Sequence, residues 1–295
     1  MLTASQIEQY RGDGFFIARG LFSPDEVTRL RAHYMELREG QEHPGDFAGV
    51  PVQRILGDSA KTGDRLVEDK PDPLWQYPRM IHMHRWDEIS LRWLIDVRLN
   101  AHLTALLGRE PYAVQTMLYF KPPGARGQAL HQDQYYLKVQ PGTSMAAWLA
   151  LDDCDEANGC MQMVAGSQHW DVLCTVPADT TQSFTDVTVP LPPGVKPTPA
   201  IMNVGDVLFF NGQLVHGSFP NRTTDRFRRS LIGHYIVGEA EKVAQFYHPV
   251  LRMDGSLVQL GTSEGGGSCG IWVQRGGSPA IEMRGASTAK AEDHE

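Results

Sequence analysis

Leu130-His131-Gln132-Asp133-Gln134-Tyr135-Tyr136, answered far downstream by Leu214-Val215-His216-Gly217-Ser218 and then by Phe227-Arg228-Arg229, is the stretch around which the chain reads as organised. If these segments are strands, the period of two puts His131 and Asp133 on one face and turns Gln132 away. Two imidazoles and one carboxylate on one face of an octahedron leave the opposite positions open, which suits non-haem Fe(II) and oxygen chemistry. His131 and Asp133 supply two ligands of such a centre, with His216 as the third.

The texture around this stretch is strand after strand. Residues 112–120 alternate, Lys121-Pro122-Pro123-Gly124 turns, and residues 129–136 carry the His-x-Asp pair. Residues 144–151 read as a buried strand leading into the acidic turn Asp152-Asp153-Cys154-Asp155-Glu156-Ala157-Asn158-Gly159, from which 160–164 return as a hairpin partner. A proline-rich loop at 178–199 precedes three further strands, at 200–204, 206–210 and 230–237.

Helices come first in the chain. Thr3-Ala4-Ser5-Gln6 is a capping box; 15–18 is a strand entering the core; Ser23 caps a second helix that has Pro24 at its first position. Residues 86–107 form a third helical run, with Asp87 as cap and Asn100 as a break. Leading helices followed by many short strands predict a mainly β fold with flanking helices, a double-sheet barrel or jelly roll. No linker divides the 295 residues, so one domain is expected, with 41–77 as a variable loop and candidate lid, and 252–295 as an irregular Gly-rich tail, disordered over its last ten residues.

Composition narrows the function. Hydrophobic content of 41% and charged content of 21% are ordinary for a globular protein. A net charge of −8 lacks the concentrated basic face that nucleic acid needs, which leaves a small molecule as the expected partner. The absence of a long apolar run and of a basic-then-apolar N-terminus predicts a cytoplasmic protein with no membrane span. Four cysteines with no Cys-x-x-Cys pair predict reduced, buried thiols rather than a disulfide or zinc scaffold. Oligomeric state leaves no signal in the sequence.

The ordered set His131-Gln132-Asp133, Trp148-Leu149-Ala150-Leu151-Asp152-Asp153, Glu156-Ala157-Asn158-Gly159-Cys160, Gly166-Ser167-Gln168-His169, His216-Gly217-Ser218 and Phe227-Arg228-Arg229 resembles the phytanoyl-CoA dioxygenase family, as do Asp13-Gly14-Phe15 and the Ser23-Pro24-Asp25-Glu26 helix start. The resemblance runs from Thr3 to Val237, excluding 41–77. It implies a double-stranded β-helix of the cupin-like kind, Fe(II) held by His131, Asp133 and His216, and 2-oxoglutarate and O2 as co-substrates. The implied reaction hydroxylates an unactivated C–H bond of a small metabolite, with release of succinate and CO2. The far carboxylate of 2-oxoglutarate then falls to Arg228, whose planar fork suits it, with Ser218 as a second donor. The interval from His216 to Arg228 is twelve residues, one more than the family's, which leaves Arg226 and Arg229 as competing candidates, although the Phe227-Arg228 pairing favours Arg228. By the same resemblance Gln115, Tyr119, Gln132 and Trp148 line the co-substrate pocket. An ordinary alternative for Trp148 is core packing, and for Gln132 the orientation of a ligand. With a carboxylate at position 133 no extra position is left for chloride, so halogenation is disfavoured.

Two other readings remain open: a zinc-dependent or other metal-dependent cupin-like enzyme using the same three ligands, and a non-catalytic binding protein on the same fold. Arg228 argues against the first and the intact triad against the second. His82 and His84 form a second His-x-His pair, read as pocket or surface residues rather than a metal site. Lys61, Arg65, Arg79 and Arg85 are the basic residues available to an acyl-CoA, and Trp75, Tyr77, Trp86, Tyr135 and Tyr136 are expected pocket walls.

Overall fold

The computed structural model describes residues 2–39, 73–77, 79–264 and 268–285. Most of the expected lid, the Lys61 and Arg65 positions, the side chain of Trp75 and the last ten residues lie outside them.

Helix α1 (Ala4–Asp13) starts where Gln6 donates its backbone N–H to Thr3 Oγ1 while its own side chain accepts from Thr3 N, and it stops at Gly14 with φ +81°. Helix α2 (Pro24–Glu39) starts the same way, on Ser23 and Glu26. The long helical run breaks earlier than Asn100. Asp87 caps α3 (Glu88–Leu94), and a second cap, Asp96, accepts from Arg98 N and opens α4 (Val97–Leu107). A local Asx cap outcompeted continuation of the helix.

The strands of the two main sheets are β1 (Phe15–Ala18), β2 (Met80–Ile81), β3 (Pro111–Tyr119), β4 (Gln128–His131), β5 (Ser144–Ala150), β6 (Met161–Met163), β7 (Thr198–Ala200), β8 (Val207–Asn211), β9 (His216–Ser218), β10 (Ser230–Val237), β11 (Val250–Arg252) and β12 (Leu257–Val258), with a hairpin of β13 (Cys269–Arg275) and β14 (Ser278–Arg284) beyond and two short two-residue pairs outside them. An eight-stranded antiparallel sheet runs β1-β8-β5-β10-β3-β11-β12, with β2 also on β3, and a four-stranded sheet runs β4-β9-β6-β7. This is the jelly-roll, double-stranded β-helix arrangement.

Side-chain alternation in β5 and β10 divides the interior. Met145, Ala147, Leu149, Leu231 and Tyr235 face the helices, where they meet Val27, Tyr34, Leu99 and Leu103. Ala146, Trp148, Ala150 and Ile232 face the smaller sheet and pack with Met161, Met163 and Phe210. Leu99 and Leu103 are fully buried, each worth about 2 kcal/mol of apolar transfer, and clamp the helical layer to the back of the large sheet. The inner face is left to build the site.

Two expectations fail beyond the barrel. The tail is not irregular throughout, because β13 and β14 pair over their full length. Nor are all four cysteines reduced: Cys174 and Cys269, 95 residues apart, form a disulfide, while Cys154 and Cys160 are free and buried. The bridge pins the hairpin to the loop before β7, where Trp272 also donates to Pro190 O at 2.9 Å and meets Trp170 edge-on. A separation of 95 residues leaves no local pattern from which the pairing could be read. Among the described residues no helix is long and apolar enough to cross a membrane.

Candidate active site

The two expected histidine ligands meet because β4 and β9 are antiparallel neighbours in the small sheet, with His131 and His216 in direct register. Their ring centroids lie 4.2 Å apart. Asp133 reaches them by another route than a continuing strand. β4 ends at His131, and Asp133 is αR (φ −60°, ψ −33°) at the start of the short helix α5 (Gln134–Leu137). The pleat therefore does not align the pair; a turn does. Its carboxylate ends 3.6 Å from His131 Nε2 and 3.7 Å from His216 Nε2, both through Oδ1.

Gln132 lies outside the cavity wall, contrary to expectation. It is buried in the turn itself, donating to the carbonyls of Gln213 and Asp171 and accepting from Leu173 N. It ties the Asp133 turn to the approach of β9, which is a positioning role rather than ligand contact.

The donor set suits a divalent metal. His131 Nδ1 sits 2.9 Å from Ala129 O, and His216 Nδ1 sits 2.9 Å from Leu214 O. A carbonyl can only accept, so both Nδ1 atoms carry the proton and both Nε2 atoms keep a lone pair facing Asp133. Burial, and next the neighbouring His131, push the His216 pKa down to about 4, which keeps its imidazole neutral. For Asp133 burial acts upward, but His216, His131 and His234 outweigh it and hold the carboxyl well below the usual carboxylate range. One atom from each of the three residues lies within 4.8 Å of the others, the only such group among the described residues. His82 and His84 are buried but join no such group and do not line the cavity.

Asp133 is divided between two environments. Oδ1 faces the two imidazoles, whereas Oδ2 is buried without a hydrogen bond among the described residues and lies 3.4 Å from His234 Nε2. His234 stands on the inner face of β10, opposite Gln115 of β3. A buried carboxylate oxygen left unpaired is costly, and His234 is the donor in place to relieve it.

These groups open into a cavity of about 410 Å³, lined also by Gln115, Tyr119, Trp148, Ser218 and Arg228. Arg228 is buried, donates through Nε to Gly159 O and through Nη1 to Ser230 Oγ, and lies over the Trp148 ring. No carboxylate pairs with it among the described residues. The competing arginines are engaged elsewhere: Arg229 makes a two-pronged pair with Asp152, and Arg226 makes another with Asp155. Gly159 is held to glycine by geometry, since at φ +88° a Cβ would fall 2.6 Å from Phe219 O.

Of the expected aromatic walls only Tyr136 lines the cavity; Tyr77, Trp86 and Tyr135 do not. The wall includes residues that no motif singled out. Phe184 and Thr185 come from the proline-rich loop, and Phe246 and Tyr247 follow β10. Arg79 lies over the rings of Tyr119 and Phe184. Lys121, behind the wall, was hidden inside a turn motif. The one available signal was its proximity in sequence to the alternating strand that carries Gln115 and Tyr119.

A family model described as phytanoyl-CoA dioxygenase matches residues 10–230. Among curated relatives, phytanoyl-CoA dioxygenase 1 of Oryza sativa subsp. japonica is 25% identical over 236 residues, covering 75% of this chain and 84% of its own. Among solved structures, the non-haem, alpha-ketoglutarate-dependent carbocyclase SnoK from nogalamycin biosynthesis superposes with a TM-score of 0.61 at 20% identity, over 81% of this chain and 86% of that one. The epimerase SnoN, solved in complex with Fe3+, alpha-ketoglutarate and nogalamycin RO, does so with a TM-score of 0.57 at 20% identity, over 80% of this chain and 84% of that one. At these identities the structural likeness speaks for the fold.

Proposed function

The chain belongs to the phytanoyl-CoA dioxygenase family, and from that premise we propose that it is an Fe(II)- and 2-oxoglutarate-dependent dioxygenase that hydroxylates a C–H bond of a small metabolite. The observation that carries the proposal is one cavity lined both by the His131, Asp133, His216 donor set and by a buried arginine, Arg228, that no carboxylate pairs with among the described residues. A bound Fe(II) with 2-oxoglutarate would supply oxygen activation and oxidative decarboxylation to succinate and CO2.

The protein's part is to hold and exclude. His131, Asp133 and His216 would hold the metal. Arg228, kept in place by Gly159 O and Ser230 Oγ, presents the rest of its guanidinium to the far carboxylate of 2-oxoglutarate, with Ser218 beside it. Gln115, Tyr119 and Trp148 complete the co-substrate wall. Tyr136, Leu137, Phe246 and Tyr247 give the remaining wall an aromatic and apolar surface that orients the substrate carbon and keeps water away.

A cavity of about 410 Å³ is near the low end for ligand pockets, which fits the co-substrate plus a modest metabolite better than a whole acyl-CoA. Arg85, one of the basic residues available to a CoA, is already spent on the carbonyls of Phe246 and His248. Asp133 favours oxygen insertion over halogenation. A zinc hydrolase has no use for an arginine fork buried in the same cavity as the metal ligands, which sets the zinc reading second.

The experiment is a coupled oxygen and succinate assay over a panel of modest-sized metabolites with Fe(II). A hydroxylated product formed in a one-to-one ratio with succinate is expected. A cyclised, epimerised or desaturated product would keep the cofactors and replace the hydroxylation.

A further inference from the structure

Lys121 lies two residues past the end of β3, with φ +34°, and is 2% exposed. Its Nζ donates to Ser218 Oγ at 2.9 Å and to Phe219 O, and it lies 3.4 Å from Gly159 O. With all three as acceptors Nζ is an ammonium, whereas a neutral amine would serve the two carbonyls and take the Ser218 hydroxyl hydrogen instead. Burial and the neighbouring Arg228 press the other way, pushing its pKa well below the ordinary lysine value. No carboxylate pairs with it among the described residues. Lys121 and Arg228 even share one carbonyl, that of Gly159, which accepts from Arg228 Nε at 2.9 Å. Two adjacent buried cations without an anion are unfavourable for the fold alone. An anion entering beside Arg228 balances the arrangement and favours the ammonium form of Lys121.

Ser218 shows where that anion would sit. Its Oγ accepts from Lys121 Nζ at 2.9 Å and from Gln128 N at 3.1 Å. A hydroxyl has two lone pairs and one hydrogen. With Lys121 in the ammonium form both lone pairs are occupied and the hydroxyl can only donate, and Ser218 lines the cavity together with Arg228.

We propose that Lys121 is a positioning and specificity-determining residue for the far carboxylate of the co-substrate. It fixes Ser218 as a donor and, with Arg228, gives this end of the cavity two positive charges that select a dicarboxylic over a monocarboxylic 2-oxo acid. The inference rests on the 2-oxoglutarate reading of the site. Lys121 touches no ligand itself; it acts through Ser218 and through its field.

The test is calorimetric titration of the Co(II)-loaded protein with 2-oxoglutarate and with 2-oxobutyrate, which has the same oxo-acid head and no far carboxylate. Wild type, Lys121→Met, Lys121→Gln and Ser218→Ala are compared. Wild type is expected to prefer 2-oxoglutarate by about 100-fold or more, and Lys121→Met to lose about 10-fold of that preference with its 2-oxobutyrate affinity intact. Lys121→Gln keeps donors for Phe219 O and Ser218 Oγ while removing the charge, so it falls between the two. Ser218→Ala removes the hydroxyl and loses part of the preference. Equal weakening of both acids, or an unchanged preference in the lysine variants, overturns the inference. If Lys121→Met does not fold, Lys121→Gln decides, and a preference within about twofold of wild type overturns it. A wild type that binds neither acid removes the 2-oxoglutarate reading first, and the role of Lys121 with it.

Discussion

The two ends of the cavity use one device for opposite purposes. At the metal end, the carbonyls of Ala129 and Leu214 occupy the Nδ1 protons of His131 and His216, so that bare Nε2 lone pairs face inward. At the far end, the carbonyl of Gly159 and the oxygen of Ser230 occupy two donors of Arg228 while Lys121 and Gln128 N occupy the lone pairs of Ser218 Oγ, so that the remaining Arg228 donors and the Ser218 hydroxyl face inward. One end thereby offers electron pairs and a carboxylate, and the other offers hydrogens and positive charge. The difference teaches that each end is complete only with a ligand of opposite character, a cation at one and an anion at the other.

The comparison breaks most visibly if an end is deleted. His131→Ala is expected to lower succinate formation by about 1000-fold or more, with Co(II) affinity falling in parallel and the apo fold unchanged by circular dichroism. Next comes the other end. Arg228→Gln should weaken 2-oxoglutarate by about 100-fold while leaving the Co(II) dissociation constant within about twofold of wild type, and a metal affinity that fell with it would deny that the ends are separable. A sharper probe is His234, beside Asp133 Oδ2. His234→Leu should cost about 10- to 100-fold in Co(II) affinity, and His234→Gln, which can still donate, should recover most of it.

Effects outside both ends are smaller and appear in stability. Reduction of the Cys174–Cys269 bridge, or Cys174→Ser, should remove about 2–4 kcal/mol by urea unfolding and move neither dissociation constant. The pair His82 and His84 gives a pH effect. Burial holds their pKa values down to about 2 and about 3, against 6.5 for a free histidine. Between these limits the unfolded chain binds the extra protons, so stability is full above about pH 6.5 and falls as the pH drops, by about 1.4 kcal/mol per unit for each histidine. Unfolding free energies measured from about pH 6 to pH 4 should decline less steeply in His84→Gln.

What could be read in the sequence differs between the same two ends. His131, Asp133 and His216 were visible as residue types at a spacing, because metal ligation restricts the choice of side chain severely. Their geometry was less visible, since a helix start at Asp133 and a strand continuing through it look alike over three residues. The Phe227-Arg228 pairing favoured Arg228 over Arg226 and Arg229, but that Asp152 and Asp155 engage the other two was not visible. Lys121 was out of reach. A lysine before Pro-Pro-Gly reads as an exposed turn, and lysines are rarely fully buried, so only the chain crossings at Gly159 and Phe219 disclose it. The barrel was legible from its alternation. The disulfide and the β13–β14 hairpin were not, because one joins residues 95 apart and the other follows a glycine run that carries no periodicity.

The central claim is that both ends serve a single oxidative decarboxylation. It is tested most directly by succinate formation from 2-oxoglutarate by metal-free protein supplied with Fe(II) or with Zn(II), in air and under argon, for wild type, His131→Ala and Arg228→Ala. Turnover that requires Fe(II) and air, and that both substitutions abolish, is the predicted result. A wild type that neither binds 2-oxoglutarate nor forms succinate, or one that is equally active with Zn(II), would contradict it.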